Sequence, residues 1–208
     1  MWIHWCGRPA RTIQSAVVMD PQLAALIADL QSAQARLTTL HGILSGEAWR
    51  RRPRLTGWSA AECVAHLNLT SEALLPRLRA GIEQARAGQR RATSRYRRDV
   101  VGWLMWKVIS PSGRLRTKTL PAFVPSDEKP PELLVADFER LQADVIACVS
   151  AAEGLPIENV KLASPFDARV RYNLYAALTL VPRHQHRHLL QAERAAGAAG
   201  PEASDLAV

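Results

Sequence analysis

The sequence predicts an all-α fold in one domain, and three observations carry that expectation. Apolar residues recur near the 3.6-residue period in several long segments. Helix start and stop signals bracket those segments. The chain has 208 residues at 48% hydrophobic and 22% charged content, enough for one sizeable core and ordinary for a globular protein. There is no internal repeat, and the Ala/Gly-rich end is the only biased tract.

The first helix is expected from Pro21 to Leu44, with Leu23, Leu26, Ile27, Leu30, Leu37, Leu40 and Leu44 as its apolar stripe. Asp20 is the N-cap and Pro21 occupies the first helical position, where its missing N–H costs nothing. After a basic loop from Arg50 to Gly57, Ser59 and Glu62 form a capping box with Trp58 as a staple in front of it. That second helix should reach about Ala87 and bend at Pro76. A third is expected from Arg97 to Ile109, stopped by Ser110-Pro111-Ser112-Gly113. A loop follows to Lys129. The fourth helix is expected from Pro131 to Ala152, buried along Leu133, Leu134, Phe138, Leu141, Val145, Ile146 and Val149. Residues 155–172 read as irregular, with room for a short extended piece. The fifth helix follows Asn173, bends at Pro182 and stops at Gly197. Met19 to Gly197 is the expected domain, 1–18 a poorly ordered extension and 198–208 a frayed tail.

Composition narrows the function classes. Three cysteines, Cys6, Cys63 and Cys148, form no CxxC spacing and leave an odd count, which argues against a disulfide framework and fits a reducing, cytoplasmic setting. The first residues lack the apolar run of a secretory signal. The apolar stretch Val100 to Ile109 is broken by Lys107 and falls far short of the ~20 residues a membrane span requires, so it reads as a buried helix face. Net charge is +8 and is unevenly placed. Residues 90–120 hold nine cations against Asp99 alone, whereas 121–160 hold eight acids against Lys129 and Arg140. A solvated basic face partly matched by an acidic helix is the ordinary explanation. An anion-attracting rim is the functional one. Nucleic acid is a poor partner, because the run lacks interleaved aromatics and shows no helix-turn-helix or zinc-finger spacing.

Three of the six histidines stand out. His184 and His188 are spaced i,i+4, so their imidazoles share one helix face with Cβ atoms about 5–6 Å apart. His66 lies two turns into the second helix. If the apolar faces of these helices meet, three neutral nitrogens can hold a divalent cation and leave further coordination positions free. His186 points about 200° away from either partner and is excluded. Glu62, one turn before His66, could orient that ring, unless its carboxylate is committed to the capping box. Gln191, three residues after His188, could support it. Arg187 and Asn173 are candidates for binding substrate.

These residues resemble the DinB-like superfamily, which includes the YfiT-like proteins. The resemblance rests on Trp58-Ser59, Glu62 and His66-Leu67 opening the second helix, and on His184, His188-Leu189 and Gln191 on the last. Lys118 to Phe123 and Ser164-Pro165-Phe166 resemble segments of one branch. The likeness runs from about Met19 to Ala196. It implies a four-helix bundle of up-down-down-up order, here with an inserted helix and loop around 97–130, often paired as a homodimer. It implies a divalent metal, zinc or nickel, on His66, His184 and His188. It further implies a metal-dependent transferase that activates a low-molecular-weight thiol, such as mycothiol or bacillithiol, as the thiolate. Metal-dependent hydrolysis through activated water and a non-enzymatic metal-binding stress-response module are the alternatives. The expected partner is a small, anionic substrate. One departure is Gln185, where many relatives of this branch have an acid.

Overall fold

A computed structural model of the protein describes residues 19–53, 57–88, 95–110, 119–125 and 129–197. The expected disordered extension (1–18) and frayed tail (198–208) lie outside the described residues, as do parts of the basic stretch. Among the described residues six α-helices form: α1 (Pro21–Ile43), α2 (Gly46–Arg50), α3 (Ala60–Ala87), α4 (Val100–Val108), α5 (Pro131–Ala151) and α6 (Leu174–Ala196). Two three-residue strands, β1 (Lys161–Ala163) and β2 (Arg171–Asn173), pair antiparallel and set Leu162 opposite Tyr172.

Local signals account for the helix ends. The Asp20 carboxylate accepts from the amides of Gln22 and Leu23. Ser59 and Glu62 make the full reciprocal capping box. The Asp99 carboxylate accepts from the Gly102 amide, and that cap delays α4 to Val100 rather than the expected Arg97. The Asn173 side chain accepts from the Ala176 amide, and Gly197 ends α6 at φ 74°, a left-handed conformation that favours glycine. α3 and α6 continue as helices through Pro76 and Pro182.

Four long helices build the bundle, and side-chain contacts give their directions. Gln22 meets Tyr175 at the start of α1 and α6, and Arg36 meets Glu193 near their ends, so these two run parallel. Asn68 reaches the Leu134 carbonyl and Arg79 pairs with Asp144, so α3 and α5 run parallel. The amide of Asp20 donates to Glu153 just beyond the end of α5, so α1 and α5 oppose each other. The order is therefore up-down-down-up, as the resemblance implied.

The core is in two apolar clusters. One gathers Leu23, Leu30, Leu78, Leu174 and Leu178. The other gathers Leu37, Trp49, Leu67, Phe138 and Leu189. Two buried amides lie among these helices. Gln142 Nε2 donates to the Leu30 carbonyl at 2.6 Å and to Gln185 Oε1 at 3.1 Å, and Gln185 Nε2 donates back to Gln142 Oε1 at 2.7 Å. Each donation removes a desolvation cost that an unpaired amide would carry.

Three expectations need correction. Leu133 is 55% exposed, because it sits about 100° off the stripe that Leu134 and Phe138 bury. The five-residue α2 fills the gap between the first helix and the basic loop, where no element was expected; it is too short to show a period. α4 is not a buried face: Val100 is 82% and Trp103 52% exposed. α4 is apolar around most of its circumference, and only the side bearing Gly102 packs tightly, against α6. Among the described residues, no ion pair of the α5 acids reaches the basic stretch; these pairs run to Arg79, Lys129 and Arg140.

A Cβ built on Gly102 would lie 2.2 Å from the Cβ of Ala176. Gly102→Ala is therefore expected to destabilise the protein by about 1–3 kcal/mol. At roughly 2–4 °C per kcal/mol for a chain of this size, thermal melting should register it. An unchanged melting temperature would mean that α4 does not dock this closely.

Candidate metal centre

α3 and α6 oppose each other, so the early turns of α3 face the late turns of α6. The three expected histidines meet there. His66 Nε2 and His184 Nε2 are 3.4 Å apart. Ring centroids are 5.2 Å apart for His66–His184 and 4.5 Å for both His66–His188 and His184–His188. One ligand nitrogen from each ring lies within 4.8 Å of the others. Two nitrogens bound tetrahedrally at ~2.0–2.1 Å from zinc would be about 3.3 Å apart, close to the observed His66–His184 spacing.

The rings are held neutral. His66 Nδ1 lies 2.8 Å from the Phe123 carbonyl, an acceptor only, so that nitrogen carries the proton and Nε2 keeps its lone pair. Burial lowers the His66 pKa, with the Phe123 contact opposing it. Burial first, then His66 and Arg187, push His184 down to about 3. Burial and the charges of His184, His66 and Arg187 push His188 well below its ordinary value, with Gln191 opposing weakly. A metal needs unprotonated imidazoles, and this environment supplies them.

Aromatic residues enclose the trio. The Trp58 ring centroid is 4.9 Å from His66 and 5.8 Å from His188, stacked on the latter. Phe166 approaches His184 at 6.3 Å and packs on Phe123 at 4.7 Å. A cavity of about 70 Å³ reaches His184, walled largely by Leu74, Met105, Ile109, Leu180 and Val181, with hydroxyls from Thr70, Ser71 and Ser164.

The supporting residues fall out differently from expectation. Glu62 does not orient His66. Its carboxylate accepts from the Ser59 amide at 2.8 Å and pairs with Arg52, while His66 Nδ1 goes to Phe123. Asn173 is not free to bind substrate: it is buried, caps α6 and donates to the carbonyls of Arg97 and Glu158. Arg187 donates to the Ser110 carbonyl at 3.0 Å, and its charge acts on His184 and His188. Gln191 acts on His188, whose buried Nδ1 has no hydrogen-bond partner. His186 stands apart, with Nε2 on Asp29 at 2.9 Å and Nδ1 beside Arg36 at 3.2 Å. Gln185, the departure from the branch pattern, is a core residue paired with Gln142. Both described cysteines are buried, and burial pushes their thiols up, so neither is an activated nucleophile.

The family profile described as the DinB superfamily matches residues 29–192, a span that takes in all three histidines. The chain belongs to the DinB superfamily. No curated protein and no solved structure matches it. Members of the superfamily often bind metal, and the residues present fit a divalent cation. Three neutral nitrogens converge, the tautomer of His66 is set by a backbone carbonyl, and among the described residues no acid or cysteine joins the group.

Buried neutral histidines also shape stability. Their folded pKa values lie below the ~6.5 of an unfolded chain, so the unfolded chain binds more protons below that pH. The stability is complete above pH ~6.5 and is lost as the pH falls toward the value of about 3 held by His184. In metal-free protein, the urea midpoint should drop between pH 7 and pH 5, and His184→Ala should flatten the drop. An identical pH slope in parent and variant would contradict burial of a neutral His184.

Proposed function

We propose that this DinB superfamily protein is a metal-dependent transferase, with His66, His184 and His188 holding zinc or nickel and a low-molecular-weight thiol as the nucleophile donor. The convergence of three uncharged imidazole nitrogens beside a small, mostly apolar cavity carries the reading. A divalent cation there would supply Lewis acidity, lowering the pKa of a thiol or water next to it.

The protein's own residues set the conditions for that chemistry. His66 is aimed by the Phe123 carbonyl. Trp58 shields two of the rings from water, which strengthens charge interactions among them. Three neutral ligands leave the cation its full charge, whereas a carboxylate ligand would offset part of it. Among the described residues no carboxylate and no imidazole besides His184 lines the cavity, so removing the proton from the nucleophile, thiol or water, would fall to the cation. Hydrolysis is the alternative reading. A purely structural metal site is disfavoured, because among the described residues no fourth side chain completes a closed tetrahedron.

The test is a thiol screen on zinc- and nickel-loaded protein with monochlorobimane as a generic electrophile. Mycothiol, bacillithiol and glutathione are offered in turn, and fluorescence reports carbon–sulfur bond formation. One thiol should give saturable turnover that falls at least 100-fold in His184→Ala, as loss of an essential ligand would. No thiol-dependent rate, together with metal-dependent cleavage of a nitrophenyl ester, would replace transfer by hydrolysis.

A further inference from the structure

A second cleft lies on the far side of α6. Thr179, Arg183 and His186 are spaced i, i+4, i+7 and share one helix face, roughly opposite the face that carries His184 and His188. With Arg98, Trp106 and Asp29 they line a recess of about 330 Å³, within the range of small-molecule sites.

Two guanidiniums crowd one indole in this recess. The Arg183 guanidinium carbon is 3.6 Å from the Trp106 ring centroid, and that of Arg98 is 4.6 Å from it. Among the described residues each is anchored through Nε. Arg183 Nε donates to the Trp106 carbonyl at 2.5 Å, and Arg98 Nε donates to Thr179 Oγ1 at 2.7 Å. Their terminal nitrogens meet no carboxylate among the described residues. The nearby acids are already engaged. Asp29 pairs with His186 at 2.9 Å, and Glu193 takes Arg36 in a two-point contact. Burial weakens the hold of both arginines on their protons; Arg98 adds to the effect on Arg183 while Asp29 opposes it, and Tyr175 opposes it on Arg98. Two half-buried cations of like sign share this recess with one carboxylate, Asp29, which is hydrogen-bonded to His186 and offsets them only in part, so the pair is costly to keep. The forked geometry of guanidinium matches the oxygen pairs of carboxylate and phosphate.

We propose that the cleft between α4 and α6 is a binding site for the oxyanion of a small molecule, a phosphate or carboxylate group, gripped by the terminal nitrogens of Arg98 and Arg183. Arg98 comes from the basic stretch that the three-His centre leaves unexplained. Binding here would also clamp α4, whose outer face is exposed, against α6. The competing account makes the stacked arginines mere packing between these helices. It predicts lower stability on substitution and no saturable anion binding.

Isothermal titration of the full-length chain with inorganic phosphate, and separately with malonate, tells these apart. The parent should bind one anion per chain. Arg98→Gln and Arg183→Gln should each weaken binding at least 10-fold, and His184→Ala should leave it unchanged, which separates this cleft from the histidine centre. Tighter phosphate binding marks a phosphoryl ligand, and tighter malonate binding a carboxylate. Where a Gln variant fails to fold, Arg183→Lys keeps a cation over Trp106 but loses the fork, and should weaken binding several-fold. No saturable heat with either anion, or equal affinity in the arginine variants, overturns the proposal. So does loss of binding in His184→Ala alone.

Discussion

The opposed packing of α3 on α6 is the constraint on which the rest depends. It brings His66, a short way into α3, beside His184 and His188 near the end of α6. The same contact presses Gly81 against Leu162 and Leu174 at the other end, so the two helices are registered over their length. A slip of one residue would rotate each histidine by about 100° and scatter the trio. Close packing makes such slips costly, and this gives the site its geometry.

Burial has a second consequence. Rings taken out of water lose their protons, and a ring without a proton can be a ligand. Trp58, Phe123 and Phe166 supply much of the apolar surroundings, and Phe123 adds a carbonyl that settles which nitrogen of His66 faces inward. The inserted segment between α3 and α5 thus serves the centre directly. Pro121–Phe123 forms a short helical turn that delivers this carbonyl, while α4 walls the adjoining cavity with Met105 and Ile109. On its other side α4 carries the arginine cleft. One insertion therefore faces two recesses on opposite sides of α6.

Much of this could be read before any coordinates. The long helices announce themselves through Leu spacing and through Asp20, Ser59, Asn173 and Gly197 at their ends. His184 and His188 could be paired by spacing alone, His66 joined them on the expectation that two apolar helix faces meet, and the family resemblance pointed to the same three. Other features had no side-chain signature. The acceptor for His66 is a backbone carbonyl 57 residues away, and any residue type could have provided it. Glu62 lies within reach of both the Ser59 amide and the His66 turn, so spacing could not decide between them. Arg52, which helps hold Glu62, sits in a loop without a period. Arg98 and Arg183 come together over Trp106 only because α4 docks on α6 at Gly102, a tertiary event that the basic run could not reveal.

The central claim is that three imidazoles from two helices grip one cation. Diffraction from zinc-soaked crystals, collected on both sides of the zinc absorption edge, tests it most directly. The account predicts one strong anomalous peak per chain, about 2.0–2.1 Å from a nitrogen of each of His66, His184 and His188, with a non-protein ligand beyond. No peak among the three rings, or a peak on other side chains instead, would contradict it.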